Sequence, residues 1–231
     1  LNKASWIGVR DKHYSHRQID SSVNFAMDDA CYLIKKHNKE SETIAKEAKS
    51  FATISMRKFG TMNDESVLSV AKSIHKVIHK YAINTIFIPH HAPKGTEGDI
   101  KLANNIKHLW GDDYFRIVDP IILASALKAI TSQSNWVISM RYHQLIFSLS
   151  TGIPCVGIYV DEYTQAKLTG AFEAFGLKAL VLSVHEVDEK LEELIQYAIQ
   201  NRHDFENAAL KLEGNLYEES IKPYELLSEA N

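Results

Sequence analysis

From residue 51 onward, short apolar runs rich in β-branched residues alternate with longer stretches in which apolar positions recur every three or four residues. That alternation predicts βαβ units on a parallel sheet. The first run is Phe51 to Arg57. A helix is expected from about Asp64, capped by Asn63 or Asp64, with Val67, Val70, Ala71, Ile74 and Ile78 on one face. The second run, Ile83 to Pro89, leads into His90-His91 and a glycine-bearing loop, then a helix around Ile100 to Trp110 and a strand at Tyr114 to Val118. Another helix spans about Ile121 to Thr131. The fourth run, Trp136 to Met140, passes after Arg141 into an apolar helix, Leu145 to Leu149, stopped by Gly152-Ile153-Pro154. A strand at Cys155 to Val160, a helix near Thr164 to Phe175 with Gly176 as its stop, a strand at Ala179 to Ser183 and a charged helical tail from about Val187 complete the pattern. The fold class is α/β, a doubly wound parallel sheet.

Residues 36–50 break the pattern, being polar and nearly free of large apolar side chains, and read as a linker or an exposed helix. At 231 residues, with 45% hydrophobic and 24% charged positions, the chain has enough apolar material for a large core, which argues against disorder. Lys and Arg number 26 against 29 Asp and Glu, a net charge of −3 without the basic excess that a nucleic-acid partner requires. No run approaches the ~18 apolar residues of a membrane helix. Cys31 and Cys155 lack CxxC spacing, so neither a zinc knuckle nor a disulfide framework is indicated, and a reducing cytoplasm is expected. The chain begins at Leu1 and runs at once into Trp6-Ile7-Gly8-Val9, as if N-terminal residues were missing.

Ligands of doubly wound sheets sit beyond the carboxyl ends of the strands. There this sequence places Arg57, His90, His91, Arg141 with His143, and Asp161 with Lys167 one turn on. Arg141 and His143 also open a helix, where free backbone N–H groups and the helix dipole favour an anion. A phosphate or carboxylate ligand follows. Each residue also has a plainer reading: a strand-end arginine in a surface ion pair, a histidine satisfied in the core, Asp161 as a turn residue. The adjacent His90 and His91 point apart, and Asp99 lacks HExxH-like spacing, so no metal is expected. There is no GxGxxG after a strand, no P-loop and no GxSxG elbow around Ser139, which excludes the common dinucleotide, NTP and serine-hydrolase sites.

The stretch Val137-Ile138-Ser139-Met140-Arg141-Tyr142-His143-Gln144-Leu145-Ile146-Phe147-Ser148-Leu149, followed by Gly152-Ile153-Pro154-Cys155-Val156-Gly157-Ile158, resembles the signature of the polysaccharide pyruvyl transferase family. Tyr159, Asp161 and Lys167, then Phe172 and Gly176-Leu177, resemble its next segment. Gly8-Val9-Arg10-Asp11 with Ser15 is similar to its V-R-D-x-x-S element, Ile54 to Arg57 to the opening of its second lobe, and Asp28-Asp29-Ala30 to its D-P-A turn, with Asp29 in the proline place. The resemblance implies a GT-B-type fold of two Rossmann-like lobes, of which this chain is mainly the C-terminal, donor-binding one. On that basis residues 1–35 are a remnant of the N-terminal lobe, 36–50 a linker, 51–205 the donor-binding domain and 206–231 a C-terminal helical tail.

The activity so implied is transfer of a pyruvyl group from phosphoenolpyruvate to a sugar of a cell-surface polysaccharide, such as an exopolysaccharide or cell-wall polymer, or of its precursor. It forms a ketal, needs no cofactor and takes place in the cytoplasm, with the inner face of the membrane as a second placement. Arg57, Arg141, His143, His90, His91 and Lys167 are the expected donor-binding residues. His143 and Arg141 are the catalytic ones, with His143 the proton carrier because a histidine beside an anion has its charged form favoured. Phosphoenolpyruvate and a saccharide acceptor are the expected partners; the oligomeric state is open, as is turnover by a chain without its first lobe. Two alternatives stand: a GT-B glycosyltransferase using a nucleotide sugar, with Glu173 or Glu186 on the ribose, and a non-catalytic binding lobe.

Overall fold

The computed structural model describes residues 8–10, 24–58, 62–81, 83–91, 98–111, 115–118, 122–216 and 225. Six strands form one parallel sheet: β3 (Phe51–Ser55), β4 (Asn84–Phe87), β5 (Phe115–Ile117), β6 (Trp136–Ser139), β7 (Cys155–Tyr159) and β8 (Val181–Ser183). They lie in the order β5-β4-β3-β6-β7-β8. The chain builds outward from β3 on one side, returns, and builds outward from β6 on the other. The strand order therefore reverses between β3 and β6, the place where doubly wound sheets leave a crevice beyond their carboxyl ends. Near the N-terminus, β1 (Gly8–Val9) and β2 (Asn24–Phe25) form a separate two-stranded parallel sheet, and a 3₁₀ turn follows at Asp29–Cys31.

The helices are α1 (Lys39–Ala48), α2 (Asp64–Tyr81), α3 (Asp99–Trp110), α4 (Ala124–Thr131), α5 (Tyr142–Leu149), α6 (Glu162–Ala174), α7 (Val187–Gln200) and α8 (Arg202–Leu216). Alternation along the strands explains why both faces are covered. Phe87 packs with Val67, Val70, Ile74 and Ile106 of α2 and α3, whereas Ile86 and Ile88 pack with Ile44, Leu127 and Ile130 of α1 and α4. Every residue of β3 and β6 is buried. Helix α2 carries the expected apolar face, and the Asn63 side chain accepts the Ser66 N–H at 2.7 Å, which caps it.

The stretch 36–50, read from sequence as a linker or an exposed helix, contains α1. A reciprocal box between Asn38 and Ser41 starts this helix, and a single large apolar residue, Ile44, wholly buried, docks it. Burying such a side chain contributes about 1.5–3 kcal/mol. The helix alternative of that reading is the one observed, and the polarity of its other positions is what left the two readings open. The helix expected from Leu145 begins at Tyr142, and the charged tail is two helices, α7 and α8, broken at Asn201. Gly152 ends the α5 turn at φ +73°, where a Cβ would also meet the Glu206 backbone at 3.0 Å. No helix among the described residues is long and apolar enough to cross a membrane.

Candidate functional site

Ser55 and Ser139 are register partners at the ends of β3 and β6. Arg57 and Arg141, each two residues further on, therefore leave the sheet side by side at the point where strand order reverses. The bend that aims Arg141 is built by Ser139, whose buried hydroxyl accepts the Arg141 N–H at 2.8 Å and donates to the Arg141 carbonyl at 2.9 Å. Ser139 is committed to the backbone. Arg141 is the N-cap residue of α5, and among the described residues no side chain caps that helix. A cleft of about 600 Å³ opens here between α2 and α3, lined by Arg57, Arg141, His91, Asp99, Lys58 and Lys101 among others.

Asp99, the first residue of α3, is 3% exposed. Its carboxylate accepts the backbone N–H groups of His90 and His91 at 3.0 and 3.1 Å, the Arg141 Nε–H at 3.1 Å, and a further bond from Arg141 Nη2. Burial and the nearby Arg141 hold the Arg57 pKa below its ordinary value, while Asp99, Asp161 and Tyr163 act in the opposite sense. The guanidinium stays charged at any physiological pH.

The two adjacent histidines have different surroundings. His91 lines the cleft, whereas His90 Nε2 lies 3.1 Å from Gln144 Oε1. Gln144 Nε2 donates to Thr131 Oγ1 at 3.0 Å, so its oxygen faces His90 and the imidazole must donate from Nε2. Burial pushes the His90 pKa down to about 4, keeping it neutral.

A second cluster surrounds α5's first turn. The Tyr142 ring has the Arg10 guanidinium 4.9 Å and the Lys167 ammonium 5.0 Å from its centroid, and Lys167 also lies 5.7 Å from the Tyr163 ring. Arg10 pairs with Asp28 at 2.8 Å, and the same carboxylate lies 3.9 Å from His143 Nε2. Asp28 is fixed as the cap of the 3₁₀ turn by accepting the Ala30 N–H at 3.0 Å. Buried Lys128 anchors that turn, donating to the carbonyls of Ala30 and Cys31 at 3.2 and 2.7 Å. The His143 pKa is lowered, first by burial and then by Arg10 and Lys167, with Asp28 opposing, so the neutral form is favoured in this state.

The structure thus brings together Arg57, Arg141 and His91 at the cleft, and Arg10, His143 and Lys167 around Tyr142. It turns His90 inward to Gln144. Asp161 caps α6, its carboxylate accepting the Thr164 N–H at 2.7 Å. Sequence reasoning missed the pairing of Asp99 with Arg141, and it gave Arg10 and Asp28 no site role although both stand in the motifs it singled out. Asp11 and Ser15 of those motifs lie outside the described residues. Both cysteines are buried, and burial pushes the Cys155 thiol up to about 12. Among the described residues no three His, Cys, Asp or Glu side chains gather as metal ligands.

A family profile, Polysaccharide pyruvyl transferase, matches residues 1–162. The chain belongs to that family. No curated protein matches it. Among solved structures it is similar to Staphylococcus aureus MnaA with UDP, at 13% identity and a TM-score of 0.56, covering 88% of this chain and 56% of that one. It is also similar to Phytolacca americana UGT2 complexed with UDP-2fluoro-glucose and pterostilbene, at 12% identity and a TM-score of 0.52, covering 90% and 46%. A Glycosylation Associate Protein complex from Streptococcus agalactiae aligns at 12% identity and a TM-score of 0.55, covering 92% and 41%. At such identities the likeness concerns fold alone: this pyruvyl transferase family member has the Rossmann-like parallel sheet of GT-B enzymes and epimerases. It spans about half the length of the structures it matches.

Proposed function

We propose that the chain binds phosphoenolpyruvate and serves a pyruvyl transfer to a saccharide. The observation that carries this reading is the pair Arg57 and Arg141, emerging together at the strand-order reversal beside the uncapped start of α5. The donor substrate carries a carboxylate and a phosphate a few ångströms apart. Two guanidinium forks suit two such anions, and the N–H groups of α5 suit the remaining phosphate oxygens. Lys167 and Arg10, held near the same turn by the Tyr142 ring, add charge for the departing phosphate.

The reaction needs a proton delivered to the vinyl carbon, attack of one sugar hydroxyl on the oxocarbenium-like carbon so formed, and displacement of phosphate by a second hydroxyl. The hydroxyls release two protons: one replaces that given to the vinyl carbon, and the other leaves with the phosphate as hydrogen phosphate. His143, neutral before the anion arrives, takes the hydroxyl proton and passes it on. Removing it lowers the rate by about 10²–10⁴. His91 is the second candidate for this role. No step calls for a cofactor. The acceptor is a sugar of a cell-surface polysaccharide or its precursor, and the donor substrate, a cytoplasmic metabolite, assigns the reaction to the cytoplasm.

A nucleotide-sugar reading draws support from the fold's likeness to structures that hold UDP. Glu186, one residue considered for a ribose contact, here accepts the Ser183 N–H at 3.1 Å and pairs with Lys190, which disfavours it for that task. A thermal-shift titration with phosphoenolpyruvate, UDP-sugars and inorganic phosphate, on wild type and Arg57→Ala, decides between them. Stabilisation by phosphoenolpyruvate beyond phosphate, lost in the variant, is the expected result; a ligand at 100 times its Kd adds about 2.7 kcal/mol. Stabilisation by UDP-sugars instead sinks the pyruvyl reading.

A further inference from the structure

We propose that Asp99 is a positioning residue for the anionic substrate: its buried carboxylate grips Arg141 along the Nε edge and leaves the Nη1 donors for an anion in the cleft that both residues line. This rests on reading the cleft as a donor-anion site.

The geometry supplies the argument. Asp99 follows β4, Arg141 follows β6, and β3 lies between those strands. The carboxylate therefore reaches across the end of β3, where Arg57 emerges, and ties the two sides of the crevice together. Among the described residues its two oxygens take four donors: the N–H groups of His90 and His91, and the Nε and Nη2 of Arg141. The arrangement is unequal. Asp99 is fully engaged and its side chain is 3% exposed, whereas the Arg141 side chain is 18% exposed and its Nη1 has no partner among the described residues.

A pair built only for stability gains little, since burying two charges loses about as much in solvation as their attraction returns. A guanidinium already fixed in one rotamer has a different use. Its conformational entropy is lost on folding rather than on binding, so an anion meets a ready fork. Asp99 also offsets the repulsion between Arg57 and Arg141, which would otherwise drive two adjacent cations apart before any anion arrives. By holding the His91 N–H it sets the second histidine at the cleft wall.

The test measures the Kd of phosphoenolpyruvate and, separately, of inorganic phosphate by calorimetry, with melting temperature alongside. The proteins are wild type, Asp99→Asn, Arg141→Lys, Arg141→Ala and the double variant Asp99→Asn with Arg141→Ala. Asp99→Asn is expected to weaken both anions about tenfold or more, and to add nothing in the Arg141→Ala background, because its effect runs through the guanidinium. Arg141→Lys keeps the charge but not the fork, and is expected to weaken binding by a similar factor with little change in melting temperature. Wild-type affinity in Arg141→Lys, or a full additive loss in the double variant, overturns the proposal. If Asp99→Asn does not fold, Arg141→Lys decides alone. Phosphate binding without any preference for phosphoenolpyruvate removes the donor reading while the phosphate arm still tests the Asp99–Arg141 coupling. If neither anion binds wild type, both readings fall.

Discussion

His143 Nε2 lies 3.9 Å from the Asp28 carboxylate, so the D-x-A turn near the N-terminus and the S-M-R-x-H segment of the large sheet meet over one charge. Among the described residues Asp28 is the group that raises the His143 pKa; burial, Arg10 and Lys167 lower it. Replacing Asp28 with Asn is therefore expected to move the His143 titration to lower pH. Following the His143 ring protons by NMR checks this without any turnover, and an unchanged midpoint would sever Asp28 from the proposed proton carrier.

His90 gives the molecule an acid limit. Its pKa is pushed from the usual 6.5 to about 4 by burial. The unfolded chain then binds more protons than the native one between those values, and stability falls as pH drops from about 6.5 toward 4, by roughly 3 kcal/mol if His90 acted alone. His90→Gln, which cannot titrate there, is expected to flatten the melting temperature against pH over that window. An equally steep profile in the variant would assign the loss to other groups.

Tyr142 is expected to matter through its ring. Each cation held over it is favoured by about 0.5–2 kcal/mol. Tyr142→Leu should weaken phosphoenolpyruvate several-fold by releasing Arg10 and Lys167, and Tyr142→Phe should retain most of the affinity. Equal losses in the two variants would implicate the hydroxyl instead.

Ser139 separates a shaping role from a nucleophilic one. Ser139→Ala leaves the Arg141 N–H without its acceptor, at a cost of about 1–3 kcal/mol, read by urea unfolding. Transfer activity in the variant should stay within about tenfold of wild type, whereas loss by several orders of magnitude would point to covalent catalysis at this hydroxyl.

The sheet was legible because its strands are buried on both faces and read as apolar runs, and because α2 and α3 show a clean helical period. Strand-end cations followed from the strand positions. Their partners did not. Asp99 stands 42 residues before Arg141, and nothing local distinguishes it from a helix-start aspartate. Gln144 and Thr131 sit on different helices, and their grip on His90 becomes visible only when β4 and α5 are neighbours. Arg10 and Asp28 stood in motifs but gave no sign of which side chains they would face. The preference of His143 for its neutral form likewise depends on burial beside two cations drawn from distant segments.

Because every pairing in the large sheet is parallel, no two of its strands can meet through a hairpin, and the central contact joins residues 52–55 to residues 136–139. Closing so long a loop is slow, and it rewards the chain only once the intervening helices are in place. Arg57 and Arg141 therefore come together late in folding. During synthesis the first half leaves the ribosome with the edge of β3 bare until β6 follows, so chaperone dependence and aggregation of nascent chains should depend on how quickly the second half is made.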